Sequence, residues 1–417
     1  MDRRRMNMLL PEPMMWLLRW IFLLAPLALL VILTRWLRPS YRQQVAAFFA
    51  FLYGLSGIFV THTLALKLGW WSYGWNALML DDIPADIIFG GAIFFGPVLY
   101  LGFPRSNPVL LCTVFALMLH GVLFTSLTPL VTAGPNWMFG VGFVFATAHV
   151  PSLYLARWTE RAILLPFRAA LLAVMYAGLS LGILPSLIMA AMGGGWTITG
   201  LPAWRWAGLF IGLLISFVIG LSAVQMLAVQ GLGTAIPLDP TRRLVTTGIY
   251  SYIRNPMQLS AALSWVVLGA FLDNIWIAAA AVMAWIFVEG IVRWHHRNDL
   301  QQRFPQSWAD YRNAVPEWLP LWRPHCTATA TLHLNTVRLA DRLTGMAIDR
   351  FGPTALHVNR GSDCTVYENP NDHTPYRGIA ALCMALTHGN FLTALIGHLL
   401  LLPTLSLQVF SFKAMRA

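Results

Sequence analysis

The sequence predicts an all-α integral membrane helical bundle of about nine spans, followed by a small cytosolic C-terminal domain whose class the sequence leaves open. Three observations predict it. Of 417 residues, 57% are hydrophobic and 11% charged, with a mean hydropathy of +0.62, far from the balance of a soluble domain. Several apolar runs exceed the roughly 20 residues needed to cross about 30 Å of hydrocarbon. These runs are continuous rather than alternating, so helices rather than a closed barrel satisfy the backbone in lipid.

The first run follows Asp2, Arg3, Arg4 and Arg5. It is longer than a signal-peptide core and has no small-x-small cleavage site, so it reads as an uncleaved first span. The candidate spans are 16–36, 44–66, 84–104, 108–131, 137–157, 168–192, 206–230, 257–272 and 275–293. Asp273 and Asn274 make a tight turn that joins the last two into a hairpin. Basic residues fall in alternate loops: Arg35, Arg38 and Arg42; Arg105; Arg157 and Arg161; Arg242, Arg243 and Arg254. The opposite loops carry Asp81, Asp82 and Asp86 or almost no charge. The positive-inside rule therefore places the odd-numbered loops and the C-terminal tail in the cytoplasm, with the plasma (inner) membrane as the expected location. Arg3, Arg4 and Arg5 then fall outside, against the rule. Trp70 to Gly74, beside the acidic cluster, reads as an aromatic belt at the outer interface. Composition divides the chain into an N-terminal membrane region (1–230), a hairpin with a polar tail (231–324) and a C-terminal accessory domain (325–417).

The 28 Lys and Arg exceed the 17 Asp and Glu, but they sit in loops beside apolar segments. That distribution points to topology and anionic lipid and excludes nucleic acid as a partner. Cys112, Cys326, Cys364 and Cys383 show no CxxC and no metal-ligand spacing, so neither a disulfide framework nor a metal site is expected. His62, His120 and His149 lie in or near separate spans. They form no i, i+4 pair and have no carboxylate cluster beside them, which favours packing roles or the polarity of an acceptor pocket. A haem or metal-dependent membrane redox protein is the alternative.

The residues that carry chemistry concentrate between Gly248 and Pro320. Asn255 followed by Pro256 starts a helix: Asn caps, and Pro tolerates the first position, where its missing N–H costs nothing. The free amides of that turn and the helix dipole suit a carboxylate, and Arg254 adds a fixed charge. Gly248 supplies a flexible approach, and Tyr250 and Tyr252 supply aromatic faces. A basic aromatic turn that merely anchors the hairpin is the plainer reading. Glu289, inside an apolar helix and four residues before Arg293, shares a face with it; the pair is either structural or part of a pocket wall.

GIYSYIRNPMQLS, then a membrane hairpin, then a tail spaced LxxxFxxxWxxYxxxVPxWLP resembles the C-terminal half of the isoprenylcysteine carboxyl methyltransferase and phospholipid N-methyltransferase superfamily. The matching residues are Gly248, Tyr250, Arg254, Pro256, Leu300, Phe304, Tyr311, Val315 and Pro316, within residues 235–324. The resemblance implies that S-adenosylmethionine is enclosed at the cytosolic face and that a lipid-soluble acceptor arrives from the bilayer. It implies a cofactor turn of Gly248, Tyr250, Arg254, Asn255, Pro256 and Gln258. Glu289, His296, Arg297 and Tyr311 would close the pocket, with Arg254 and His296 as catalytic candidates. Methyl transfer from a sulfonium rests on alignment and desolvation, plus a base if the acceptor is an amine, for which His295 or His296 qualifies.

The departures are Asn255 for the family's His, Gln258 for Tyr, His296 and Arg297 for a Glu-Glu pair, and Pro305 and Trp308 for Gly and Tyr. They leave a catalytically degenerate lipid-binding or assembly protein as the non-enzymatic alternative. Residues 359–403 are weakly similar to the distal half of thiol-disulfide oxidoreductase-like domains. The DxxCxxC start of those domains is absent here, which implies an accessory fold without redox chemistry.

Overall fold

The computed structural model describes residues 12–74, 78–234, 236, 238–335, 337, 339–372 and 375–410. Arg3, Arg4 and Arg5 lie outside that range. The chain forms two compact units, one of Met1–Leu164 and Ala170–Gly195, the other of Leu165–Ala169 and Trp196–Ala417.

The first unit contains α1 (Glu12–Leu37), α2 (Tyr41–Lys67), α3 (Asp86–Gly102), α4 (Pro108–Ser126), α5 (Trp137–Arg161) and most of α6 (Leu165–Met192). In the apolar stretch of α1 only 6% is buried, whereas 72% is buried in that of α2. Small residues explain why α2 is central, because they let neighbouring backbones approach. A Cβ on Gly57 would reach 2.9 Å from Ala148 Cβ of α5, and one on Gly54 would stand 3.5 Å from Ala92 Cα of α3. Two short antiparallel pairs join these helices, β1 (Trp71–Tyr73) with β4 (Val131–Ala133), and β2 (Met79–Leu80) with β3 (Ile83–Pro84). Asp81 and Asp82 connect β2 and β3 with φ of 48° and 62°, the two-residue primed turn that Asp tolerates. Asp86 departs from its expected place in an outer loop. It is buried in an ion pair with Arg19 of α1 at 3.0 Å.

The second unit begins with α7 (Ala203–Val229), α8 (Pro256–Leu272) and α9 (Ile275–Arg303). Gly220 lets α7 and α8 touch, and Ser260 donates to the Ser216 carbonyl at 2.6 Å. Asp273 turns the α8–α9 hairpin in the left-handed conformation, and Asn274 caps α9 by accepting from the amides of Trp276 and Ile277. The sequence reading ends the last span near residue 293, but α9 continues to Arg303, since no helix breaker intervenes before Pro305. A short α10 (Pro305–Ala314) follows. Among the described residues six helices are long and apolar enough to cross a membrane, and α3, α4 and α8 are shorter apolar helices at expected spans. The protein is an integral membrane helical bundle.

The C-terminal part carries a mixed sheet in the order β6–β5–β7–β8. β5 (Ala330–Leu334) pairs in parallel with β6 (Leu356–Arg360) through the crossover helix α11 (Leu339–Phe351). β7 (Val366–Glu368) and β8 (Tyr376–Arg377) then add antiparallel. α12 (Ile379–Leu386) and α13 (Phe391–Phe410) complete it. Leu332, Tyr376, Met384 and Leu401 share one core with Met226 at the end of α7 and with Ile249 and Ile253. α13 packs into this core through Leu401, with Phe391 and Leu395 against it.

Candidate functional site

The turn Gly248–Ser251 is clasped from both sides. Gly248 has a φ of +61°, and a Cβ there would stand 3.0 Å from the Met226 thioether and 3.2 Å from His398, so both conformation and space require glycine. On one side Tyr252 donates to the Thr387 carbonyl at 2.7 Å, and Thr247 donates to Asp372 at 2.6 Å. On the other, the polar tail zips along the turn. The amides of Arg254, Leu321 and His325 meet the carbonyls of Pro316, Tyr252 and Ser251 at 3.0, 2.9 and 2.9 Å. The Tyr311 hydroxyl closes the zip by donating to the Tyr250 carbonyl at 2.8 Å.

Between turn, hairpin and tail lies a hollow with about 790 Å³ of empty space, part of it open to solvent. Tyr250, Arg254, Asn255 and Gln258 line it from the turn and α8, His296 and Leu300 from α9, and Trp308 and Tyr311 from α10. The His296 ring packs 4.5 Å from that of Trp308. The other candidates lie elsewhere. Gly248 borders a separate small polar cleft, Pro256 is buried at the start of α8 without lining the hollow, and Glu289 and Arg297 are not in its wall. The side chain of His295 is outside the described part of the molecule.

Glu289 joins a chain of alternating charges. It pairs with Arg293 at 2.5 Å, Arg293 pairs with Glu317 at 3.3 Å, and Glu317 pairs with Arg254 at 3.2 Å. Burial lowers the pKa of Arg254 and Glu317 opposes the shift, so the guanidinium keeps its charge. Glu317 has no sequence signature, since it reaches Arg254 from a loop. Asn255 departs from its expected role as a side-chain cap. It makes no capping bond, and α8 starts instead through its carbonyl, which accepts from the Leu259 amide at 3.1 Å. Its buried Nδ2, like the buried Nε of Arg254, has no hydrogen-bond partner among the described residues. Two such donors on one wall call for an acceptor.

Tyr311→Phe would leave the Tyr250 carbonyl without its partner in a buried setting. A loss of about 1–3 kcal/mol is expected, read from thermal unfolding of the detergent-solubilised protein.

The polar cleft behind the turn holds a second network. Tyr367 Oη and the Thr354 carbonyl lie 2.7 Å from His388 Nε2 and Nδ1 respectively. A carbonyl only accepts, so Nδ1 carries the proton and Nε2 accepts from Tyr367. Cys326 Sγ is 3.9 Å from Nδ1, and burial pushes its thiol up to about 11. It is therefore a thiol rather than a reactive thiolate. Among the described residues no group of three or more His, Cys, Asp or Glu is placed to hold a metal ion.

Beside this cleft, burial raises the carboxyl of Asp372 to about 6, opposed by its bond from Thr247. The folded state then binds this proton more tightly than the unfolded chain, so the contribution of Asp372 to stability is fully present below about pH 4 and is lost as pH rises through about 6. Asp372→Asn is expected to raise the melting temperature at pH 7, by an amount equivalent to about 1–3 kcal/mol, and to leave it unchanged at pH 4.

No curated protein and no solved structure matches the chain. A family model described as phospholipid methyltransferase matches residues 204–306. The matched stretch, from α7 to the start of α10, supplies most of the hollow's wall, and over it the chain is similar to the phospholipid methyltransferase family.

Proposed function

We propose that the protein transfers a methyl group from S-adenosylmethionine to a lipid-soluble acceptor, at the hollow between the Gly248 turn and the polar tail. The observation that carries this reading is that Arg254 and Tyr311, 57 positions apart in sequence, line the same hollow. The residues present fit the cofactor. The unpartnered donors Arg254 Nε and Asn255 Nδ2, with the first-turn amides of α8, suit a carboxylate. Tyr250 and Trp308, together with Met257 and Leu300, offer aromatic and apolar surface for a purine ring.

The bound cofactor supplies an electrophilic methyl on a sulfonium. What remains for the chain is positioning, exclusion of water and the proton balance. Arg254, Asn255 and the first-turn amides of α8 would hold the cofactor, which would supply the methyl and become a neutral thioether as the acceptor takes it. A carboxylate acceptor releases no proton. An amine acceptor releases one, and His296 in the hollow wall is the group to take it. The acceptor reaches the hollow from the bilayer, and the C-terminal domain lies in the cytoplasm.

A second reading has its own support. The Arg254 guanidinium already pairs with Glu317, and His296 and Arg297 stand where the resemblance leads one to expect two carboxylates. On that reading the hollow binds lipid without turnover. Isothermal titration of the detergent-solubilised protein with S-adenosylmethionine separates the two, because the enzymatic reading requires saturable heat and the second requires none. Tritium from the methyl-labelled cofactor should then enter the organic-extractable fraction of membranes containing the protein, and a label absent despite binding would sink the transfer step. A visible absorption band in the purified protein would favour haem or metal chemistry instead.

A further inference from the structure

We infer that the first unit holds a second, separate ligand site, for a neutral lipid-soluble molecule that carries a carbonyl or hydroxyl oxygen. The site is a cavity with about 1140 Å³ of empty space, part of it open to the outside, lined mainly by apolar side chains such as Phe22 and Leu29 of α1, Ile58 of α2, Phe94 of α3 and Leu119 of α4. Three histidines that the sequence scatters over three helices converge on it: His62 from α2, His120 from α4 and His149 from α5. The rings of His120 and His149 are 6.2 Å apart, and His149 stacks on Phe95 at 3.7 Å with an interplanar angle of 11°. His62 Nδ1 lies 2.5 Å from the Tyr73 hydroxyl.

His149 is the observation that asks for a ligand. It is 3% exposed, and neither ring nitrogen has a hydrogen-bond partner among the described residues. A buried polar group left unmatched is costly, and native proteins rarely leave one so. A neutral imidazole offers one donor and one acceptor, which a carbonyl satisfies in part and a hydroxyl in full. The neutrality of the ligand follows from Asp86, whose charge in the cavity wall is already matched by Arg19 at 3.0 Å. Among the described residues of the wall, no unmatched carboxylate or guanidinium is left for a charged molecule. Its lipid solubility follows from the membrane helices around it, α1 among them with 6% of its apolar stretch buried. Wide π-helical turns at Asp86–Gly90, Phe94–Val98 and Phe145–His149 flank the cavity, the kind of irregularity often retained at functional sites.

The test uses the full chain in detergent, with decyl-benzoquinone and its hydroquinone as carbonyl and hydroxyl probes. Trp71 sits 5.1 Å from His62, so occupation should quench tryptophan fluorescence. Saturable quenching is expected, at least tenfold weaker in His149→Leu and in Ala25→Phe, which fills the cavity from α1. Circular-dichroism melts check that each variant folds, and Ala25→Phe keeps the test open if His149→Leu does not. Stronger binding of the hydroquinone marks a hydroxyl ligand, and stronger binding of the quinone marks a carbonyl. Quenching that rises linearly with either probe, as for partition into the micelle, or saturates equally in a folded variant, overturns the site.

Discussion

Arg254→Ala is expected to weaken the binding of S-adenosylmethionine by about 10–100-fold, the effect of losing one charge-assisted hydrogen bond worth roughly 1.5–3 kcal/mol. The same substitution breaks the ion pair with Glu317, so a purely structural role must be told apart. Glu317→Gln does this. It also breaks the pair but leaves Arg254 charged and less engaged, so cofactor affinity should hold or rise. If Arg254 only fastened the tail to the turn, the two variants would lose stability alike, and binding would not distinguish them. The readout is isothermal titration beside a thermal melt of each variant.

Arg19→Leu carries the largest expected loss of stability. The Arg19 guanidinium donates to both oxygens of Asp86 at 3.2 and 3.0 Å and to the carbonyls of Gly74 and Leu130 at 3.1 and 2.9 Å. The two side chains are 4% and 3% exposed. Removing one partner from a buried pair costs about 3–5 kcal/mol, since the other charge is stranded, whereas replacing both with apolar groups is often close to neutral. Arg19→Leu should therefore melt far below the wild type, and Arg19→Leu with Asp86→Leu should recover most of the difference. A double variant no better than the single one would contradict this reading of the pair.

Sequence patterns that repeat over a short range were readable, and contacts between distant segments were not. The membrane helices announce themselves through continuous apolar runs, and the α8–α9 turn through Asp273 and Asn274. Glu289 and Arg293 pair because four residues make one helical turn. Arg254 and Tyr311 were joined by the order of a family motif, not by any spacing rule. Asp86 read as a loop acid because its partner is 67 residues earlier, and Glu317 was silent for the same reason. The convergence of His62, His120 and His149 depends on how three spans rotate against each other, which hydropathy cannot report. Asn255 looked like a cap, but the cap needs a side-chain conformation that its buried position does not adopt. The C-terminal sheet was not read, because its strands are only two to five residues long and the alternation of buried and half-buried residues along β5 exists only once the sheet has formed.

On the proposed function, turn and tail enclose one cofactor hollow. Ultraviolet cross-linking of methyl-tritiated S-adenosylmethionine to the detergent-solubilised full chain, followed by peptide mapping, tests it most directly. The label should fall on peptides containing Tyr250 to Gln258 and Trp308 to Tyr311, and excess unlabelled cofactor should displace it. Displaceable label confined to other segments, or no displaceable label at all, would contradict the account.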